Sequence, residues 1–321
     1  MTTFLDNQVG LKKEVTYGTA VVPDRFYMFT GSAHSDGKSV VQGVGLKPGA
    51  RVAQSDRRTI PYRSAAGSLD LEVPSKGLGV LWEGCMGAST STLVSVGLYQ
   101  QVFSFADVMP SYTIQYGVWD GSAVSPYTYA GCQIGSWTLN CPEGNIVNMS
   151  VQWVGKSLST AGSVAAASYP ASSSLFTFAH AAFYVGGTLT APTTTVMGSA
   201  TGSALATVKN FSLSVDNALK DGPQVGGLPT ARKPGLRAIT GTVNVEYDGN
   251  TLRDAIIADT SLVLVVTLTN GTDVVQVIVS EARLNGNLPT ANGSERITHD
   301  LAFEGLTSNL TVAVRTADAA L

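Results

Sequence analysis

The chain has 321 residues, more than one ordinary domain of roughly 100 to 200 residues, and this length points to two units that can each bury a core. Only 13% of residues are charged while 44% are hydrophobic, which excludes a disordered chain. A formal net charge of −3 excludes the basic footprint of a protein that grips nucleic acid through its phosphates.

Thirty-four glycines among abundant Ser, Thr, Val and Ala favour short strands and turns over long helices, so the expected class is mainly β. The opening residues, Met1–Lys13, carry no apolar h-region, and no run of about 18 apolar residues follows. The expectation is a soluble protein assembled in the cytoplasm. Three cysteines, Cys85, Cys132 and Cys141, cannot all pair within one chain, and reduced thiols suit the cytosol. A bridge between Cys132 and Cys141 on neighbouring strands stays open.

In chain order, Tyr27 to Val44 mixes short apolar runs with Gly and Ser. The polar stretch from Lys47 to Arg63, with Arg51, Asp56, Arg57, Arg58 and Arg63, reads as a long loop. Gly67 to Val73 alternates strictly: Leu69, Leu71 and Val73 share one face of a half-buried strand, and Ser68, Asp70 and Glu72 the other. Leu78, Leu81, Trp82, Cys85 and Met86 recur at helical spacing and predict a short amphipathic helix. Further strands are expected at 111–118, 134–140 and 146–154, with turns at Trp119-Asp-Gly121 and Pro142-Glu-Gly144.

From Ser157 to Ser174 the composition shifts to Ala, Ser and Gly, as in a linker or extended surface strip. The expected layout is an arm (1–19), a first module (20–158), a linker (159–177), a second module (178–314) and a tail (315–321). The two modules are matched by a constant offset of 174, which pairs Arg58 with Arg232, Arg63 with Arg237, Gly67 with Gly241, Glu72 with Glu246 and Leu78 with Leu252. The order of elements also repeats: a basic loop, an alternating strand (Gly241 to Tyr247), a short helix (Thr251 to Asp259), then Thr/Val strands at 262–269 and 274–280 joined by Asn270-Gly271.

Catalytic chemistry finds little support. His34, His180 and His299 have no Cys or His at metal-ligand spacing; Gly121-Ser-Ala and Gly202-Ser-Ala are not nucleophile elbows; Gly77-Leu-Gly79 lacks the third Gly of a dinucleotide fingerprint. Asp70 and Glu72 share a strand face, but their counterparts are Asn244 and Glu246, a substitution that an acid–base pair would not tolerate and a polar face would. No enzyme, cofactor or metal is expected.

Three segments together, Glu14 to Ala20, Gly67 to Glu83 and Tyr129 to Leu139, resemble major tail proteins, the tail tube subunits of long-tailed phages, over a span from about Glu14 to the end. The resemblance implies tandem β-sandwich modules, each with a short flanking α-helix, which on assembly contribute to a β-barrel lumen. Two modules per chain imply three chains in a pseudo-sixfold ring, with six chains as the alternative. It further implies a structural role in the virion tail as stacked rings that carry DNA without binding it specifically. Partners would be further copies of the chain, a tape-measure protein and a tail terminator or baseplate protein.

On that reading Ser68, Asp70, Glu72, Thr242, Asn244 and Glu246 are candidates for the lumen wall, or else face solvent on an exterior sheet. Arg57, Arg58, Arg63, Arg232, Lys233 and Arg237 are candidates for contacts between rings, or else are solvated loop charges. The rival functional class is a virion-displayed or secreted β-sandwich binding protein, or a capsid decoration protein.

Overall fold

A computed structural model describes residues 4–220, 224–226, 230–286, 288–289, 296–307 and 310–319. Residues 1–3 of the expected arm and 320–321 of the expected tail lie outside the described residues. The protein is mainly β, with two short α-helices among the described residues.

In the first half the strands are β1 (Gln8–Lys13), β2 (Arg25–Tyr27), β3 (Gly31–Gln42) and β4 (Arg58–Glu72), followed by α1 (Gly79–Met86). Then come β5 (Gly87–Ser95), β6 (Leu98–Phe105), β7 (Tyr112–Trp119), β8 (Val124–Cys141), β9 (Asn148–Gly155) and β10 (Ser157–Ser159). In the second half they are β11 (Ala181–Val185), β12 (Leu189–Thr190), β13 (Ser199–Ala200), β14 (Ser203–Ala204), β15 (Val208–Asp216) and β16 (Ala238–Glu246). The helix α2 (Thr251–Ile257) precedes β17 (Leu262–Asn270), β18 (Asp273–Gly286), β19 (Thr298–Gly305) and β20 (Leu310–Thr316).

The alternation read from Gly67 to Val73 sits in β4, where Leu69 and Leu71 are buried and Ser68, Asp70 and Glu72 are half-buried on the other face. β16 repeats it: Ile239, Val243 and Val245 face the core, and the Thr and Asn between them face out. The helix expected near Leu78 is α1, and all its residues are buried. A helix of eight residues that includes Gly79 and Gly84 is marginal on its own in water, so packing holds it; Trp82 meets Trp137 of β8 edge to face at 5.3 Å. α2 ends at Ile257, two residues short of the expected Asp259.

The stretch from Lys47 to Arg63 is not wholly a loop, because β4 already begins at Arg58. Residues 58–64 pair with β3 only, since β9 joins β4 from Ala65 onward. A two-stranded ribbon exposes both faces, so it lacks the apolar alternation that marks a strand in sequence.

Two layers share a single buried cluster that runs through both halves. The front layer is one antiparallel sheet in the order β3-β4-β9-β8-β15-β16-β19-β18, where β18 contributes its C-terminal part. Behind it, β2-β1-β7 continues into the N-terminal part of β8 and β10, and β14-β11-β17 into the N-terminal part of β18, β20, β6 and β5.

The expected linker crosses the molecule without a strand after β10 until Leu175 and Thr177 form isolated bridges with Pro74 and Ile146. Between them Phe176 is fully buried; its N–H donates to the Val73 carbonyl (3.0 Å) and its carbonyl accepts from the Val147 N–H (3.0 Å).

Candidate functional surface

β-Pairing fixes which residues stand beside one another on the front of the long sheet. Starting from Asp70, one row runs through Ser150, Thr138, Ser214, Thr240 and Glu304 to Arg283, one residue from each successive strand. The next row runs from Glu72 through Asn148, Asn140, Ser212 and Thr242 to Ala302. Glu72 and Thr242, far apart in sequence, thus share a row. The structure brings Ser68, Asp70, Glu72, Thr242, Asn244 and Glu246 onto one continuous face of one sheet.

That face is polar because period-2 alternation sends every second residue away from the core on the seven strands from β4 to β18, while β3 at the edge buries none of its residues. Its side chains bond one another along the rows: Ser212 Oγ donates to Asn140 Oδ1 (2.7 Å), Thr138 Oγ1 to Ser214 Oγ (3.2 Å), Ser150 Oγ to Asp70 Oδ1, and the Asn244 amide to Asp300. Glu246 accepts from Lys209 Nζ (3.1 Å) and Arg296 Nη1 (2.8 Å), and these bonds hold its carboxyl below the usual range. Asp70, Glu72, Asp216, Glu246, Asp300 and Glu304 outnumber the cations on the face; Lys209 and Arg296 are already engaged by Glu246, and Arg283 by Asp259 (3.5 Å). Among the described residues this face offers a polyanion no row of free Lys or Arg.

The basic candidates separate into two groups. Arg57, Arg58 and Arg63 are exposed, with Arg63 Nη1 bonded to Asp36 Oδ2 at 2.6 Å on the β3–β4 ribbon. Arg232 is buried: its N–H donates to Gln133 Oε1 (2.7 Å), and its carbonyl accepts from Gln133 Nε2 (3.1 Å). Arg237 reaches across to the first half, with Nε on Asn217 Oδ1 (3.0 Å), Nη2 on the Ala106 carbonyl and its guanidinium over the Phe105 ring at 4.6 Å. Lys233 is exposed beside a bridge to Lys220. The difference arises because β3 and β4 overrun the end of β9, whereas the chain after β15 folds back onto β8.

That ribbon is the feature that sequence periodicity missed. Residues 36–63 hold six Lys or Arg and two Asp, a balance of +4, so with −3 for the whole chain the remainder carries −7. Val40, Val41, Val44, Leu46, Val52, Ile60 and Tyr62 are exposed along it.

The other titratable groups are held for packing. His34 stacks on Tyr116 with ring centres 4.6 Å apart, and its Nδ1 lies 2.7 Å from Tyr129 Oη. His180 closes a capping box with Thr177, and His299 is buried in β19. Cys132 and Cys141 lie on the same strand, β8, and all three cysteines are free and buried. Among the described residues no cluster of His, Cys, Asp and Glu has the arrangement of a metal site, and no helix is long and apolar enough to cross a membrane.

Residues 5–305 match the family model described as phage tail tube protein. No curated protein matches the chain.

Proposed function

The chain belongs to the phage tail tube protein family, and from that premise we propose that it polymerises as stacked rings of three chains whose long sheets close into a DNA-conducting barrel. The observation that carries this reading is the polar face of eight strands, on which acids outnumber cations, over an underside that packs into the buried apolar cluster.

Two tandem modules per chain are supported by the pairings. The β7–β8 and β17–β18 hairpins share register, β1 lies on β7 as β11 lies on β17, and β9 and β19 each return to the strand that precedes a helix. Each module then supplies four strands to the front sheet, and six modules close the barrel.

Size favours three chains. At about 4.8 Å between strands tilted by roughly 40°, three chains of eight strands give a barrel about 50 Å across between backbones. Two chains give only about 30 Å, and after side chains too little is left for a duplex on the order of 20 Å wide. In this barrel Ser68, Asp70, Glu72, Thr242, Asn244 and Glu246 face the bore, and their acids keep the phosphate backbone from settling on the wall.

The β3–β4 ribbon overhangs the sheet by about 20 Å, as seven residues at roughly 3.3 Å each require. With its +4 balance against the −7 of the remainder, it reaches the adjacent ring, and Arg57, Arg58 and Arg63 meet acids there. Arg232 and Arg237 instead hold the two modules of one chain together. The role is structural and non-enzymatic. DNA passes without specific binding, and the ends of the stack meet the tape-measure and the terminator or baseplate proteins after assembly in the host cytoplasm. Electron microscopy of the purified protein tests this: stacked rings with threefold symmetry are expected, and compact oligomers that never stack overturn it.

A further inference from the structure

We infer that β3 of one chain closes on β18 of the next in the register that joins β15 to β8 within the chain, and that the ring therefore has seams of two unequal kinds. The inference rests on the tube reading above. Inside the chain, β15 is bonded to β16 on one side and to β8 on the other, from Phe211 opposite Cys141 to Asp216 opposite Ser136. β3 stands to β4 as β15 stands to β16, since Ala33 faces Ser68 and Ser212 faces Thr242. Yet the other edge of β3 has no strand beside it among the described residues. The outer edge of β18 from Arg283 to Gly286 is likewise bonded on one side only, to β19. Two bare edges of backbone donors and acceptors on opposite ends of one sheet are complementary by construction.

The internal seam fixes how they meet. Ser136 faces Gln152, which faces Ser68; Asn285 faces Ala302, which faces Thr242. Ser136 and Asn285 therefore hold the same place in the two halves. So do Asp216, opposite Ala238, and Gly37, opposite Ser64. Because Ser136 faces Asp216, Asn285 of one chain faces Gly37 of the next, and antiparallel pairing then sets Arg283 opposite Ser39. Beside the bare edge of β3, a groove lined by Leu5, Met28, Phe29 and Tyr169 awaits cover by the neighbour.

Behind the front sheet the two seams differ. Within the chain a second ladder, β6 on β20, joins the halves from Ser104 opposite Thr311 to Tyr99 opposite Thr316. β6 belongs to a hairpin that follows α1, whereas after α2 the chain passes from Ile257 to Leu262 with no hairpin between. The strand in the place of β20, β10, keeps a bare outer edge among the described residues. Each seam within a chain thus has two ladders and each seam between chains has one, so rings part between chains.

Hydrogen exchange read by mass spectrometry on the free chain and on assembled tubes tests both points with the natural sequence. Assembly should slow exchange at least tenfold in residues 36–39 and 283–286 and leave 157–159 unchanged. A Ser39→Cys/Arg283→Cys variant, oxidised as tubes, should run as covalent multimers up to three chains on a non-reducing gel, and neither single variant should. Tubes that show neither the protection nor the cross-link overturn the seam. Protection at 157–159 overturns the inequality. A protein that forms no tubes overturns the tube reading, and the seam with it.

Discussion

Tyr112 and Leu262 hold the same place in two hairpins. Tyr112 faces Cys132, and an irregularity then shifts the register so that Ile114 faces Tyr129; Leu262 faces Ala282, and the same shift sets Leu264 opposite Val279. A slip of one residue would turn every side chain of a strand to the wrong face, so an irregularity kept in both hairpins keeps both sets of apolar residues aimed at the core.

Charge reversal on the front face tests the proposal that this face lines the bore. Glu72→Lys with Glu304→Lys should leave rings able to form, because both residues are on the side away from the core. DNA release followed by dye fluorescence should slow and become strongly salt-dependent, since a cationic wall gains counterion-release binding. Unchanged release at low salt would place these residues outside the bore. Glu246 is less suitable, because its loss also frees Lys209 and Arg296.

Phe176→Ala should cost about 3–5 kcal/mol of stability, the usual loss for a large aromatic removed from a closed core. Denaturant unfolding of the unassembled chain measures this. A loss under about 1 kcal/mol would mean that the strip after β10 is not anchored there.

Glu14 ties the N-terminal arm down with a carboxylate that accepts from four donors: the Gly18 and Gly131 N–H groups (both 2.8 Å), Ser111 Oγ (2.8 Å) and Thr113 Oγ1 (3.0 Å). Glu14→Ala leaves them without an acceptor and should destabilise by about 3 kcal/mol or more, with faster proteolysis in residues 14–24. Glu14→Gln keeps one acceptor oxygen, hence about half the bonds, and should fall between.

Burial raises all three thiols, Cys85 and Cys132 well above the ordinary value and Cys141 to about 11, so each stays protonated through neutral pH. A disulfide thiol reagent at pH 8 should label none of them in the native chain and all three after unfolding in guanidinium. Rapid native labelling would contradict their placement.

His34 is lowered from its ordinary value of 6.5 by burial beneath β3, where Tyr116, Tyr127 and Tyr129 face it and Asp36 follows on its own strand. The unfolded chain then binds its proton more readily than the folded one. Stability from this group is complete above pH 6.5 and is lost as pH falls through the folded value. His34→Gln should flatten the acid side of a melting-temperature profile; an unaltered profile would show that His34 stays uncoupled from folding.

The sequence by itself determined the β class, the alternating cores of β4 and β16, the helix after Gly77 and the two polar triads, because each is a local periodicity whose cause lies within a few residues. Composition and order of motifs were enough to point to the family. Other features were decided only by tertiary structure. Arg58 and Arg232 look equivalent in sequence, yet one is exposed on a ribbon and the other is buried against Gln133, because the length of β9 and the path after β15 set their surroundings. Residues 58–63 look like loop because a strand with solvent on both faces carries no apolar stripe. Phe176 is a lone aromatic in a polar strip, and nothing nearby in sequence reveals Val73 and Val147 as its neighbours. The bare edges of β3 and β18 are the furthest from sequence, since an edge is defined by which strand is missing beside it, and strand pairing is a contact between distant parts of the chain.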